Sequence, residues 1–161
     1  MTETSGSSRV LIAGAGMVGA ALACALGEAG FKVTVIEART PGREWPRDEI
    51  SNRVSALTRA SQHLLENLGA WPRIADLGAA AYHHMHVWDQ PGLGEIRFDA
   101  AAIGEPDLGH IVENRAIQLA LWERMEAIPT VEIRCPAGIR ELAQGAPGLV
   151  LDDGTRLDAD L

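Results

Sequence analysis

Positive charge is scarce in this chain of 161 residues: 14 Lys and Arg stand against 22 Asp and Glu, for a net charge of −8. That balance argues against a nucleic-acid partner, and no basic cluster overrides it. Long apolar runs are scarce too, and no stretch reaches the roughly 20 residues that a membrane-spanning helix needs. The opening segment, Met1 to Ser8, is a polar tail without an apolar centre of its own, unlike a signal peptide. Cysteine is limited to Cys24 and Cys135, read as buried thiols of a reducing cytoplasm and not as a disulfide or a metal pair. There is no internal repeat and no low-complexity tract. What remains is 47% hydrophobic and 22% charged, a globular composition at single-domain length with enough chain for a sizeable core.

The richest segment lies between Arg9 and Glu37. Val10 to Ala13 form a short apolar run, read as a buried parallel strand. Gly14, Gly16 and Gly19 follow at once. Met17 to Ala29 read as a helix stopped by Gly30, Lys32 to Ile36 as a second strand, and Glu37 stands at its end. Each part has a job in holding a dinucleotide. Gly14 permits the tight turn, Gly16 lets the backbone approach a pyrophosphate, and Gly19 lets the helix pack closely on the strand. The first turn, with Met17 and Val18, offers unpaired N–H groups and a positive dipole end to phosphates. Glu37 accepts hydrogen bonds from ribose hydroxyls, with Ala38 beside it. The acid disfavours a 2′-phosphate at this site, because two anions repel. FAD and NAD both remain open at this point.

Beyond Glu37 the sequence predicts a long polar loop to about Glu49, then a helix from a Thr58 cap to Leu68 with Leu57, Leu64, Leu65 and Leu68 on one face. Tyr82 to Trp88 alternate, Pro91-Gly92 and Gly94 mark a turn, and Ile96 and Phe98 alternate after it, which predicts a hairpin. A helix follows over about Asn114 to Ala127, with Ile117, Leu121 and Met125 in register. Val131 to Cys135 form a short strand, expected to extend the parallel sheet beyond Lys32 to Ile36. A last hairpin turns at Asp152-Asp153-Gly154. A plain NAD domain would continue as βαβ units; here antiparallel strands intervene.

Some tempting residues carry little. His83, His84 and His86 have no acid or cysteine at ligand spacing and read as an exposed strand face. His110 reads as a loop residue, Ser55 and Ser61 lack the His and Asp of a hydrolase triad, and Trp88 is a candidate for the substrate side.

Three further segments are more specific than the glycine triplet: Asn52 to Leu57, Met85 to Asp89, and Leu108 to Arg115. Together with Gly14 to Glu37 they resemble the flavin-dependent aromatic hydroxylases of ubiquinone biosynthesis, over about Arg9 to Leu161. The resemblance implies an α/β, Rossmann-like FAD-binding domain, a parallel sheet with inserted antiparallel hairpins, over residues 9–161. It implies bound FAD, NAD(P)H as transient co-substrate, and oxygen-dependent hydroxylation of a polyprenylated phenol. It places Arg53 near the flavin, and Asn114, Arg115 and Gln118 on a helix beside the FAD. Arginines suit a diphosphate or an anionic reduced flavin. No residue is singled out for the chemical step.

The family pattern continues past Leu161 into an Asp-Gly motif, a later Gly-Asp motif and a substrate domain. The chain is therefore expected to be the N-terminal part of a longer hydroxylase, incomplete at its C-terminus and inactive alone. The second edge of Val10 to Ala13 is expected to be filled by a strand beyond Leu161. The resemblance further implies a small phenolic or quinone-precursor substrate and a cytoplasmic setting, with peripheral membrane association or membership of a biosynthetic complex. An FAD-dependent oxidase or dehydrogenase and a non-catalytic NAD-binding module stand as rival readings.

Overall fold

The computed structural model describes residues 8–44, 50–90, 92 and 94–161. Most of the predicted polar tail, the end of the predicted loop (45–49) and Pro91 of the predicted turn lie outside them. The elements in chain order are β1 (Arg9–Ala13), α1 (Met17–Glu28), β2 (Lys32–Ile36), β3 (Val54–Thr58), α2 (Arg59–Asn67), α3 (Trp71–Gly78), β4 (Ala79–Tyr82) and β5 (His84–Trp88). Then come β6 (Glu95–Asp99), a short 3-10 turn (Ala101–Ile103), β7 (Gly109–Glu113), α4 (Asn114–Glu126), β8 (Val131–Arg134), β9 (Ile139–Leu142), β10 (Gly148–Leu151) and β11 (Arg156–Asp158). The chain forms two compact units, one of Met1–Trp45 with Gln118–Leu161 and one of Pro46–Ile117.

The first unit is layered. Its parallel sheet has the order β1-β2-β8, with Val10 opposite Val33 and Val33 opposite Val131. The β-branched side chains suit the pleat, and Val10, Ile12, Val33 and Val35 are buried. Helix α1 covers the sheet with its small residues Ala20, Ala23, Cys24 and Gly27, all buried. It can lie close because a Cβ on Gly27 would come within 2.5 Å of the Val131 side chain. Helix α4 joins this layer, where the Cys24 thiol donates to the Leu121 carbonyl at 3.8 Å and Arg124 pairs with Glu28. On the sheet's other side Ile36 packs with Leu149 and Leu151, with Leu11, Ala137 and Leu157 around them. Leu149, Leu151 and Leu157 belong to the antiparallel sheet β11-β10-β9.

The second edge of β1 is met at its start by Asp160 and Leu161. The Leu11 N–H donates to the Leu161 carbonyl at 2.9 Å and the Asp160 N–H to the Arg9 carbonyl at 2.9 Å. After the β10–β11 hairpin the chain runs beside β1, and these bonds reach Arg9 and Leu11.

The second unit holds the antiparallel sheet β3-β7-β4 and the separate hairpin β5-β6. Helix α2 starts as expected, with the Thr58 hydroxyl accepting from the Ser61 N–H. Its expected apolar face is only partly right. Leu65 and Leu68 are buried, Leu64 is exposed, and Leu57 belongs to strand β3. Tyr82 likewise lies in β4, paired with Gly109, and not in the hairpin. Cys135 lies just past β8, followed by the cis bond to Pro136. Strands β3, β7 and β9 and helix α3 were not expected from periodicity. Pro72 is nonetheless a legible start signal for α3, since the first helical turn tolerates it.

Candidate functional site

The turn between β1 and α1 is built from glycine geometry. Gly14 sits at φ +96°, a backbone conformation that side chains resist, and its N–H donates to the Ile36 carbonyl at 2.8 Å. Gly16 is the helix N-cap and accepts the first helical bond, from the Ala20 N–H at 2.9 Å. A Cβ on Gly19 would come within 2.1 Å of the Gly14 carbonyl oxygen, so helix and turn touch backbone to backbone. A Cβ on Gly16, in contrast, would meet nothing within 4 Å. No atom of the described residues asks for glycine there. The orphan N–H groups of the first helical turn stand beside that open space, and Val18 next to it is 83% exposed while Met17 is half-buried.

Glu37 does more than end β2. Its Oε2 accepts from the Ala15 N–H at 2.8 Å and its Oε1 from the Arg39 N–H at 3.0 Å. Each carboxylate oxygen keeps a lone pair for another donor. Exposed Ala38 lies between the two contacts. Gln118 reaches the same turn, its Nε2 donating to the Ala15 carbonyl at 3.5 Å. Six expected residues, Gly14, Gly16, Met17, Val18, Gly19 and Glu37, thus form one surface, with Gln118 against it. The turn pairs open N–H donors and space for an anion with a carboxylate for hydroxyls, which is the donor set of an adenosine diphosphate group.

Arg53, Asn114 and Arg115 come together in the second unit. The Asn114 N–H donates to the Arg53 carbonyl at 3.0 Å, and the Asn114 Oδ1 accepts from the Ser55 hydroxyl at 2.6 Å. The Arg53 side chain is exposed and has no partner among the described residues. Arg115 is held, its Nε donating to Glu113 Oε2 at 2.8 Å. The same oxygen accepts from the Ser51 N–H at 2.8 Å. Desolvation pushes the Glu113 pKa up, but the Ser51 N–H and the Arg115 guanidinium outweigh it and hold the carboxyl below its usual range. Sequence reasoning gave Glu113 and Ser51 no role of their own and weighed Ser55 only as a hydrolase nucleophile. The signal available was the polar pair Glu113-Asn114 at the junction of an alternating strand with a helix.

The histidines behave differently from expectation in one respect, because acids do stand beside them. His86 Nε2 lies 3.0 Å from Glu95 Oε2, and His84 Nδ1 lies 3.6 Å from Asp99 Oδ1. Cross-strand pairing supplies these partners, which sequence spacing hides. His110 lies in β7, not in a loop, with its ring edge-on to Trp71 at 5.1 Å. The thiols of Cys24 and Cys135 are both free.

A family model described as FAD binding domain matches residues 7–147. The chain belongs to the FAD binding domain family. FAD is accordingly the cofactor of this domain, and the NAD alternative falls away. The chain is 38% identical over 136 residues to the 3-demethoxyubiquinol 3-hydroxylase of Escherichia coli, a match covering 84% of this chain and 34% of the relative. It is 42% identical over 123 residues to the mitochondrial ubiquinone biosynthesis monooxygenase COQ6 of Xenopus tropicalis, covering 73% of this chain and 26% of that one. The chain thus spans about a quarter to a third of these curated relatives. Among solved structures, a PqsL variant of P. aeruginosa superposes with a TM-score of 0.71 at 24% identity, covering 95% of this chain and 41% of the other. That likeness concerns the fold. Among the described residues no helix is long and apolar enough to cross a membrane.

Proposed function

We propose that this chain is the N-terminal, cofactor-binding part of an NAD(P)H- and oxygen-dependent flavoprotein monooxygenase that hydroxylates a polyprenylated phenol ring in ubiquinone biosynthesis. The observation that carries the reading is the glycine turn with Glu37, an adenosine diphosphate cradle in a chain whose relatives are ubiquinone hydroxylases. Residues 9–161 constitute the domain portion concerned. Gly14, Gly16 and Gly19 shape the turn, Met17 and Val18 line the diphosphate, and Glu37 with Ala38 takes the ribose. Gln118 steadies the turn, and Asn114 fixes the start of α4. Arg53, exposed and without a side-chain partner among the described residues, is assigned to the anionic part of the cofactor. Arg115, tied to Glu113, acts as a held charge.

When bound, FAD accepts reducing equivalents from NAD(P)H and lets oxygen be used to hydroxylate the ring. The residues of this chain bind and orient its adenosine half. A polyprenylated substrate resides in a lipid bilayer, so the working site is cytoplasmic at the membrane periphery, alone or within a biosynthetic complex.

The test uses purified protein carrying this sequence. It should bind FAD and ADP, and the protein that includes the remaining family motifs should couple NAD(P)H consumption and oxygen uptake to loss of a polyprenylphenol. FAD binding with substrate oxidation but no oxygen transfer to the ring would instead mark an oxidase or dehydrogenase.

A further inference from the structure

The Gly14–Gly19 turn poses a problem of order. Ala15 is flanked by two glycines, and glycine loses more backbone freedom on folding than any other residue. Nothing in such a segment prefers one conformation by itself. Yet Ala15 is fully buried, and both polar groups of its backbone are held by side chains remote in sequence. Its N–H is taken by the Glu37 carboxylate at 2.8 Å and its carbonyl by the Gln118 amide at 3.5 Å. The carboxylate is itself fixed from its other oxygen by the Arg39 N–H at 3.0 Å.

We infer that Glu37 and Gln118 are positioning residues that lock the Ala15 backbone, so that the anion-binding turn is built before any cofactor arrives. This rests on the reading of the turn as the FAD diphosphate site. It adds a second role to Glu37. One side of its carboxylate faces the turn, and a free lone pair on each oxygen remains for a ribose hydroxyl. Losing the carboxylate therefore costs ribose contacts and, separately, the shape of the phosphate turn. The two roles divide between ligands, because a ligand without ribose senses only the second.

The experiment compares the parent chain with Glu37→Ala, Glu37→Gln and Gln118→Leu. Two measurements are made on each, the ligand-free exchange rates of the Ala15 and Gly16 amides and the affinities for ADP and for inorganic pyrophosphate. In Glu37→Ala the Ala15 amide should exchange at least roughly tenfold faster. Affinity should fall by roughly 10- to 150-fold for ADP, and pyrophosphate should weaken alongside it. Glu37→Gln keeps one acceptor oxygen and should fall between. Gln118→Leu should repeat the pattern at smaller amplitude, since its bond is long. Circular dichroism checks that each variant is folded, and Glu37→Gln carries the comparison should Glu37→Ala unfold. Unchanged amide exchange and unchanged pyrophosphate affinity, with ADP alone weakened, would make Glu37 a ribose ligand only and overturn the inference. A parent chain that binds neither ADP nor pyrophosphate would instead sink the FAD reading, while the exchange rates would still decide whether the lock exists.

Discussion

Two strand-to-helix junctions in this molecule solve the same geometric problem in opposite ways. From β1 to α1 the chain passes through Gly14, Ala15 and Gly16; from β7 to α4 it passes straight from Glu113 to Asn114. Each has an acid close by that grips a backbone N–H, Ala15 for Glu37 and Ser51 for Glu113. At the second junction the protein consumes its own groups. The first helical N–H goes to the Arg53 carbonyl, the Asn114 side chain to Ser55, and the Arg115 guanidinium to Glu113. At the first, the helix begins at a glycine whose missing side chain leaves space that no described residue claims. A helix N-terminus becomes a ligand site when its donors stay open and its approach stays clear. The second junction is built as a joint; the first leaves the room that the proposed receptacle needs.

Substitutions can break that contrast. The largest effect is expected from Gly16→Val, which puts a side chain where only a ligand should be. The variant should melt close to the parent, because the space is empty in the protein, yet lose FAD affinity by about 100-fold or more, roughly 2.7 kcal/mol. Equilibrium titration with circular dichroism on the same sample checks both halves, and parent-like FAD affinity would remove the receptacle from this turn.

Gly19→Ala sharpens the difference between the two kinds of glycine. Its Cβ would collide with the Gly14 carbonyl, so the loss should fall first on folding, by about 1–3 kcal/mol as overpacking typically costs. A denaturant midpoint at the parental value would show that helix and turn can separate freely.

The joint gives a smaller, pH-dependent effect. The Glu113 pKa is held below its usual range in the folded state. Its contribution to stability is therefore complete above the unfolded value of about 4.3 and is lost as pH falls through the lower folded value. Glu113→Gln should be less stable than the parent at neutral pH, with the gap closing in acid below about pH 4. Melting curves across that range test it; a gap that stays constant in acid would assign Glu113 no ionic role.

The geometry of the β1–α1 turn was legible in the sequence because its physics is local. Glycine spacing, a short apolar strand, a helix with a glycine stop and an acid at the next strand end all lie within Arg9 to Glu37. The β3-β7-β4 sheet was not, because its pairing is remote: Val54 lies opposite Glu113 and Ala79 opposite Val112. Val54–Thr58 is short and mixes small and polar residues, so nothing marks it as a strand until β7 arrives. The grip on Ala15 was hidden for another reason. Glu37 was expected to serve a ribose, whereas its bond to a backbone N–H depends on how β2 lies against the turn. Arg115, expected beside the FAD, is tied to Glu113 two residues before it.

Cys24 carries a practical consequence. Burial pushes its thiol pKa up to about 11, outweighing the nearby Arg124 charge, and its hydrogen goes to the Leu121 carbonyl. At pH 8 the reactive thiolate is then on the order of a thousandth of the folded population. Cys135, half-buried beside the Thr40 hydroxyl, has no such shelter. A thiol-directed reagent will mark Cys135 first and Cys24 only when α1 lifts from its neighbours. The pair thus works as a built-in stopwatch, one thiol starting the count and the other timing how often the helix above the sheet comes away.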